Sequence, residues 1–135
     1  MKIKIENRAL HSEELKHLER ITGEDPAKCY QCGNCSAGCP LSYIMDYPPS
    51  QMIRLLQLGR IDEAKSAESV WLCVSCMQCY ARCPKDVSAG TLFEGLRQLT
   101  LREGEDYKKI KELDMPFLKG APQQALVCGF RKFVS

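Results

Sequence analysis

The chain has 135 residues, a formal charge of +2 from 19 basic and 17 acidic side chains, and nine cysteines. A chain of this size fits one domain that buries about two-thirds of its unfolded surface, so a modest core is available. The near-balanced charge, with no Lys/Arg run, argues against a nucleic-acid partner, and no window approaches the roughly 20 apolar residues that cross a bilayer.

Met1 to Glu6 alternates charge with isoleucine. It is the one stretch with strand-like alternation, and it lacks the apolar region of a signal peptide, which points to a cytoplasmic protein. Ser12 reads as the N-cap of a first helix, with Glu13 and Glu14 favouring its positive end and Leu15, Leu18 and Ile21 at helical spacing. Gly23 and Pro26 stop it, leaving Thr22 to Lys28 as a loop. After Cys39-Pro40, Pro48-Pro49 breaks the chain, and Ser50 is expected to cap a helix carrying Met52, Ile53, Leu55 and Leu56 up to Gly59. A short helix is expected from Asp62 to about Glu68. Ala89 to Arg102 forms another, with Leu92, Phe93, Leu96 and Leu99 on one face and Gly104 at its end. Breaks at Asp114-Met115-Pro116 and Gly120-Ala121-Pro122 leave Gln123 to Val134 as a last amphipathic segment with Leu126, Phe130 and Phe133 in register. The expected fold class is mainly α, organised as an extension over 1–28, a core over 29–104 and a C-terminal extension over 105–135.

Eight of the nine cysteines form two blocks, Cys29, Cys32, Cys35 and Cys39 followed by Pro40, and Cys73, Cys76, Cys79 and Cys83 followed by Pro84. Each reads C-x2-C-x2-C-x3-C-P, the spacing of two-cluster bacterial ferredoxins. Corresponding cysteines stand 44 residues apart, so the blocks are an internal repeat with an approximate two-fold relation. Two residues between ligands let a tight loop wrap three thiolates around three corners of a cubane, with its amides turned toward the sulfides. The x3 spacer and proline carry the fourth cysteine away, and in this pattern it ligates the other cluster. The expected cofactors are therefore two 4Fe-4S clusters, one on Cys29, Cys32, Cys35 and Cys83, the other on Cys73, Cys76, Cys79 and Cys39.

Other uses of cysteine fit less well. Four-cysteine zinc sites use two separated C-x2-C pairs, and a third thiolate two residues on strains a tetrahedron. Disulfides suit an exported chain with an even count, and a thioredoxin-like pair leaves several cysteines without a role. Lys28, Arg82 and Lys85 flank ligands; either they offset the negative charge of a cluster or they are solvated surface charges. Cys128 reads as a small buried hydrophobe. Trp71, Tyr30 and Tyr80 read as packing that shields the clusters, and His11 and His17 as solvent-facing. No phosphate loop, nucleophile elbow, H-E-x-x-H or paired carboxylates accompany the cysteines, so no substrate-transforming site is expected.

The segment Cys29-Tyr-Gln-Cys32-Gly-Asn-Cys35-Ser-Ala-Gly-Cys39-Pro40 resembles the C subunit of heterodisulfide reductase. So do Met52, Ile53, Arg54 and Leu58-Gly59, Trp71-Leu-Cys73 with the second block, and the tail Pro122-Gln-Gln-Ala-Leu-Val-Cys-Gly-Phe-Arg-Lys-Phe133. The cysteine blocks alone are also similar to the iron–sulfur subunits of succinate dehydrogenase and fumarate reductase, and to a free two-cluster ferredoxin; the tail favours the reductase. The resemblance implies an α-helical ferredoxin domain, an electron-transfer subunit without a substrate site of its own. It further implies partners: a flavin-containing A subunit that supplies electrons and a cysteine-rich B subunit that reduces a disulfide or related acceptor. The last helix, with Arg131-Lys132 beside its apolar face, either docks such a partner or serves the internal core.

Overall fold

The computed structural model describes residues 12–102 and 110–130 and contains no strand among them. The expectations for Met1–Ile5, His11, Gly104, Arg131, Lys132 and Phe133 lie outside the described residues. The chain forms two compact units, Met1–Leu99 and Thr100–Ser135.

Helix α1 (Glu13–Thr22) begins where the Ser12 hydroxyl accepts from the Leu15 amide and ends at Gly23, left-handed at φ 70°. Both caps follow the sequence reading, because each rests on a local hydrogen bond that one residue type supplies, but Thr22, read as the first residue of the loop, is the last of the helix. The loop beyond it tightens into a 3-10 turn over Pro26–Lys28, capped by Asp25. Next come α2 (Asn34–Ala37), α3 (Pro49–Gln57), α4 (Ile61–Ser66), α5 (Ser69–Leu72), α6 (Gln78–Ala81) and α7 (Ala89–Arg102).

Two expectations are corrected. Ser50 does not cap α3: it lies inside the helix, whose N-cap is Pro48, and its amide donates to the Ser36 hydroxyl at 2.9 Å. A residue of the first cysteine block thus closes the helix that follows it. The second short helix runs Ile61–Ser66, starting one residue and ending two residues earlier than expected. Ile61 is buried in the core, which draws the helix start back to it, and Ala67 is extended.

The core of the first unit lies between α1, α3, α4 and α7, with Leu18, Met52, Leu56, Leu92, Phe93 and Leu96 all nearly devoid of solvent exposure. Each such side chain contributes about 1.5–3 kcal/mol by leaving water. Helix α3 packs on α4, on α2 and on the 3-10 turn, and α2 packs on α6. The two short helices that carry the third cysteine of each block therefore meet, as the internal repeat requires. Gly38 and Arg82 are equivalent in the repeat and lie together: a Cβ on Gly38 would stand 2.8 Å from the Arg82 guanidinium carbon.

In the second unit, Ile110–Glu112 form a 3-10 turn, α8 spans Met115–Gly120 and α9 spans Gln123–Phe130. The Asp114-Met115-Pro116 break starts a helix, because a proline in the first turn loses no hydrogen bond. Cys128 is exposed, which corrects its reading as a buried hydrophobe.

Candidate metal centre

The two ligand loops share a backbone design that spacing alone does not reveal. Gln31 and Ser75, one repeat apart, are both left-handed at φ 63° and 53°, and so are Gly33 and Met77 at φ 82° and 60°. Left-handed backbone at non-glycine residues costs roughly 1–2 kcal/mol each. Here it turns the chain twice between ligands, and both repeats retain it. Amides also reach sulfur: within the first loop the Gln31 amide donates to Cys29 Sγ at 3.4 Å, and from beyond the second block Val87 donates to Cys83 Sγ at 3.3 Å and Gly90 to Cys79 Sγ at 3.2 Å. Such bonds favour the thiolate, the form that binds metal.

Cys35 and Cys79 are buried, and that burial pushes both thiols up. Cys32 and Cys76 are exposed, and the other four block cysteines are partly buried. A pocket enclosing about 360 Å³, open solvent at its mouth included, is lined by Cys39 together with Cys73, Cys76 and Cys79. Pro40, Leu41, Met45 and Phe93 complete much of its wall, and no charged residue lines it. On the other side, the Tyr30 hydroxyl is pushed up by desolvation first, then by Cys32, Cys83 and Cys29, with Cys32 its hydrogen-bond partner. Cys83 is thus brought within electrostatic reach of the hydroxyl that Cys29 and Cys32 surround.

These residues fit a cubane. Four cysteines, soft donors once ionised, line an uncharged pocket, and the Gly90 amide donates to one of their sulfurs, that of Cys79. Among the described residues no three Cys, His, Asp or Glu side chains close around a single ion; a cubane takes each thiolate on a separate iron and holds them further apart.

Both ligand loops are clamped from behind by residues that sequence reasoning missed. Gln57 on α3 donates from Nε2 to the carbonyls of Pro26 (2.9 Å) and Cys29 (2.6 Å). Arg97 on α7 donates from Nε to the Val70 carbonyl (2.6 Å) and from Nη2 to the Cys73 carbonyl. No motif marks either residue, since each acts on a loop more than 20 positions away. Asp46 was missed as well. Its carboxylate accepts from the amides of Tyr47 (2.9 Å), Glu68 (3.0 Å) and Ser69 (2.8 Å) and from the Ser69 hydroxyl, holding α5, which runs directly into Cys73.

Desolvation works to raise the Asp46 carboxyl, but the bonds from Ser69, Tyr47 and Glu68 outweigh it and hold the group below its ordinary value. The stability that Asp46 contributes is therefore full above its unfolded pKa and fades as pH falls through the folded one. Asp46→Asn is expected to cost about 1–2 kcal/mol at neutral pH, the lower end favoured by its exposure, and to flatten the acid limb of stability against pH. Urea titrations across the acid range check this; an unchanged acid limb refutes it.

Of the residues expected to tune or shield the site, Lys28, Arg82 and Lys85 are exposed. Trp71 packs against the core, whereas Tyr30 and Tyr80 are 59% and 47% exposed. His17 is partly buried rather than fully solvent-facing. No helix among the described residues is long and apolar enough to cross a membrane.

A mainly helical frame presenting this repeated cysteine pattern defines an iron–sulfur protein of the α-helical ferredoxin kind, and the family model for the 4Fe-4S dicluster domain matches residues 25–87. The chain is 37% identical over 76 residues to the iron–sulfur C subunit of the CoB–CoM heterodisulfide reductase of Methanopyrus kandleri, covering 56% of this chain and 40% of that one. It is 31% identical over 102 residues to the C 2 iron–sulfur subunit of the same enzyme in Methanocaldococcus jannaschii (73% and 54%). It is 30% identical over 118 residues to the C subunit of the ferredoxin/F420H2-dependent CoB–CoM heterodisulfide reductase of Methanosarcina acetivorans (87% and 68%). The chain belongs to the family of heterodisulfide reductase iron–sulfur C subunits. It spans about half the length of the first two relatives.

Proposed function

We propose that the chain holds two 4Fe-4S clusters, on Cys29, Cys32, Cys35 and Cys83 and on Cys73, Cys76, Cys79 and Cys39, and relays electrons between them without a substrate site of its own. The observation that carries this reading is the pocket in which Cys39, from the first block, stands with Cys73, Cys76 and Cys79 of the second. A cysteine exchanged between repeats forces the two clusters close together, the arrangement an electron wire needs. In this reading residues 29–104 hold the clusters, flanked by extensions over 1–28 and 105–135.

Family membership supports placing the relay in a cytoplasmic heterodisulfide-reductase-type complex. There it takes electrons from a flavin-containing A subunit and passes them to a cysteine-rich B subunit that reduces a disulfide or a related acceptor. The protein's residues supply the thiolates, the amides that stabilise them and the apolar wall that excludes water. The clusters supply one-electron chemistry when bound.

Anaerobically purified protein is expected to contain about eight irons and about eight acid-labile sulfides per chain. Zinc without sulfide overturns the reading. Co-purification with larger flavin-containing and cysteine-rich subunits is expected in the native host, and a chain that purifies without partners speaks against the complex.

A further inference from the structure

The two loop clamps grip equivalent atoms with different chemistry. Pro26 and Cys29, held by Gln57, correspond one repeat later to Val70 and Cys73, held by Arg97. The first clamp is a neutral amide. The second is a guanidinium with a side chain only 16% exposed, which also donates to Ser75 Oγ at 3.4 Å. Arginine stays protonated at any working pH, so a fixed positive charge is bonded to the backbone carbonyl of a cluster ligand.

We infer that Arg97 is a positioning residue that sets the reduction potential of the cluster held by Cys73, Cys76, Cys79 and Cys39, raising it above the value a neutral clamp would give. The inference rests on the ligand reading proposed above. A four-iron cluster with four thiolates becomes more negative on reduction, so a nearby cation stabilises the reduced form, and low solvent exposure leaves that cation weakly screened. Neighbouring charges do not cancel the effect. Glu94 pairs with Arg97 Nη1 at 3.3 Å, but its side chain is 51% exposed, so water screens its field and it offsets only part of the effect. Arg54 donates to Gln57 Oε1 at 3.4 Å behind the first clamp, yet it is exposed and touches the amide rather than a ligand carbonyl. Lys28, Arg82 and Lys85, the cations adjacent to ligands in sequence, are exposed too. Arg97 is thus the cation that sits on a ligand's own backbone with little water around it.

The test is a potentiometric titration of anaerobically purified full-length protein, followed by electron paramagnetic resonance, with iron and sulfide counted in each sample. In Arg97→Gln, which copies the neutral clamp, the potential of one cluster is expected to fall and the other to stay. The equilibrium between them moves by about tenfold, or about 59 mV for a one-electron couple. Arg97→Lys, which keeps the charge, restores most of the difference; a purely structural clamp predicts equal values in both variants. Glu94→Gln raises the same potential, and it serves as the deciding measurement if Arg97→Gln does not retain its clusters. Two clusters of unchanged potential in Arg97→Gln, or no upward shift in Glu94→Gln, overturn the inference alone. Wild-type protein with iron for a single cluster overturns the ligand reading and the inference with it.

Discussion

Replacing Cys39 with alanine is expected to halve the iron and sulfide content, from about eight to about four of each, with the loss falling on the cluster of the second block. In sequence Cys39 closes the first block, so a reading of each block as a self-contained site predicts damage to the cluster of Cys29, Cys32 and Cys35. The double variant Cys39→Ala/Cys76→Ala separates the two. If ligands are exchanged, both substitutions strike one cluster and about four irons remain. If each block is self-contained, both clusters are lost. Retention of four irons by the double variant, together with loss of both clusters from Cys83→Ala/Cys76→Ala, is the pattern that the pocket around Cys39 and Cys73 predicts.

Gly95→Ala is expected to destabilise the first unit by about 1–3 kcal/mol, although alanine is the better helix former. A Cβ at this position in α7 would lie 2.6 Å from Leu18 Cδ1 and closer still to Thr22 Cγ2, both on α1. Neither can yield cheaply. Leu18 is fully buried, and the Thr22 hydroxyl is tied to the Leu18 carbonyl at 2.7 Å, which fixes its rotamer. Overpacking therefore outweighs the propensity gain of about 1 kcal/mol. Chemical denaturation of the anaerobic protein should show a lower midpoint with an unchanged slope. Thr22→Ser removes the clashing methyl and keeps the hydroxyl, so it should recover part of the loss. A Gly95→Ala protein as stable as the wild type would show that the two helices can part at no cost.

Much of the helical frame was legible because its signals are local. Ser12, Gly23 and the apolar face of α7 act through bonds or contacts within one or two turns, and the sequence places them as the structure does. Where a distant partner intervenes, the reading slips. Ser50 looks like a cap, but Ser36 supplies the hydroxyl from 14 residues away. Cys128 looks like a core residue from its apolar neighbours, but the side on which a short helix is covered depends on packing that no local pattern records.

Cysteine spacing is enough to give the chemistry of this chain: eight thiols in two equal blocks, a repeat, and a donor set suited to iron and sulfide. Spacing suffices there because ligands within a block are joined by only two or three residues, which leaves the loop few ways to arrange them. What surrounds the thiols was settled by folding over longer distances. The packing of α2 on α6 brings the blocks together. The folding of α3 and α7 behind the loops sets an amide on one and a guanidinium on the other. Asp46 holds the helix that leads into the second block. These groups act through space across 20 to 30 residues of chain, so their charge and direction are properties of the fold rather than of any motif.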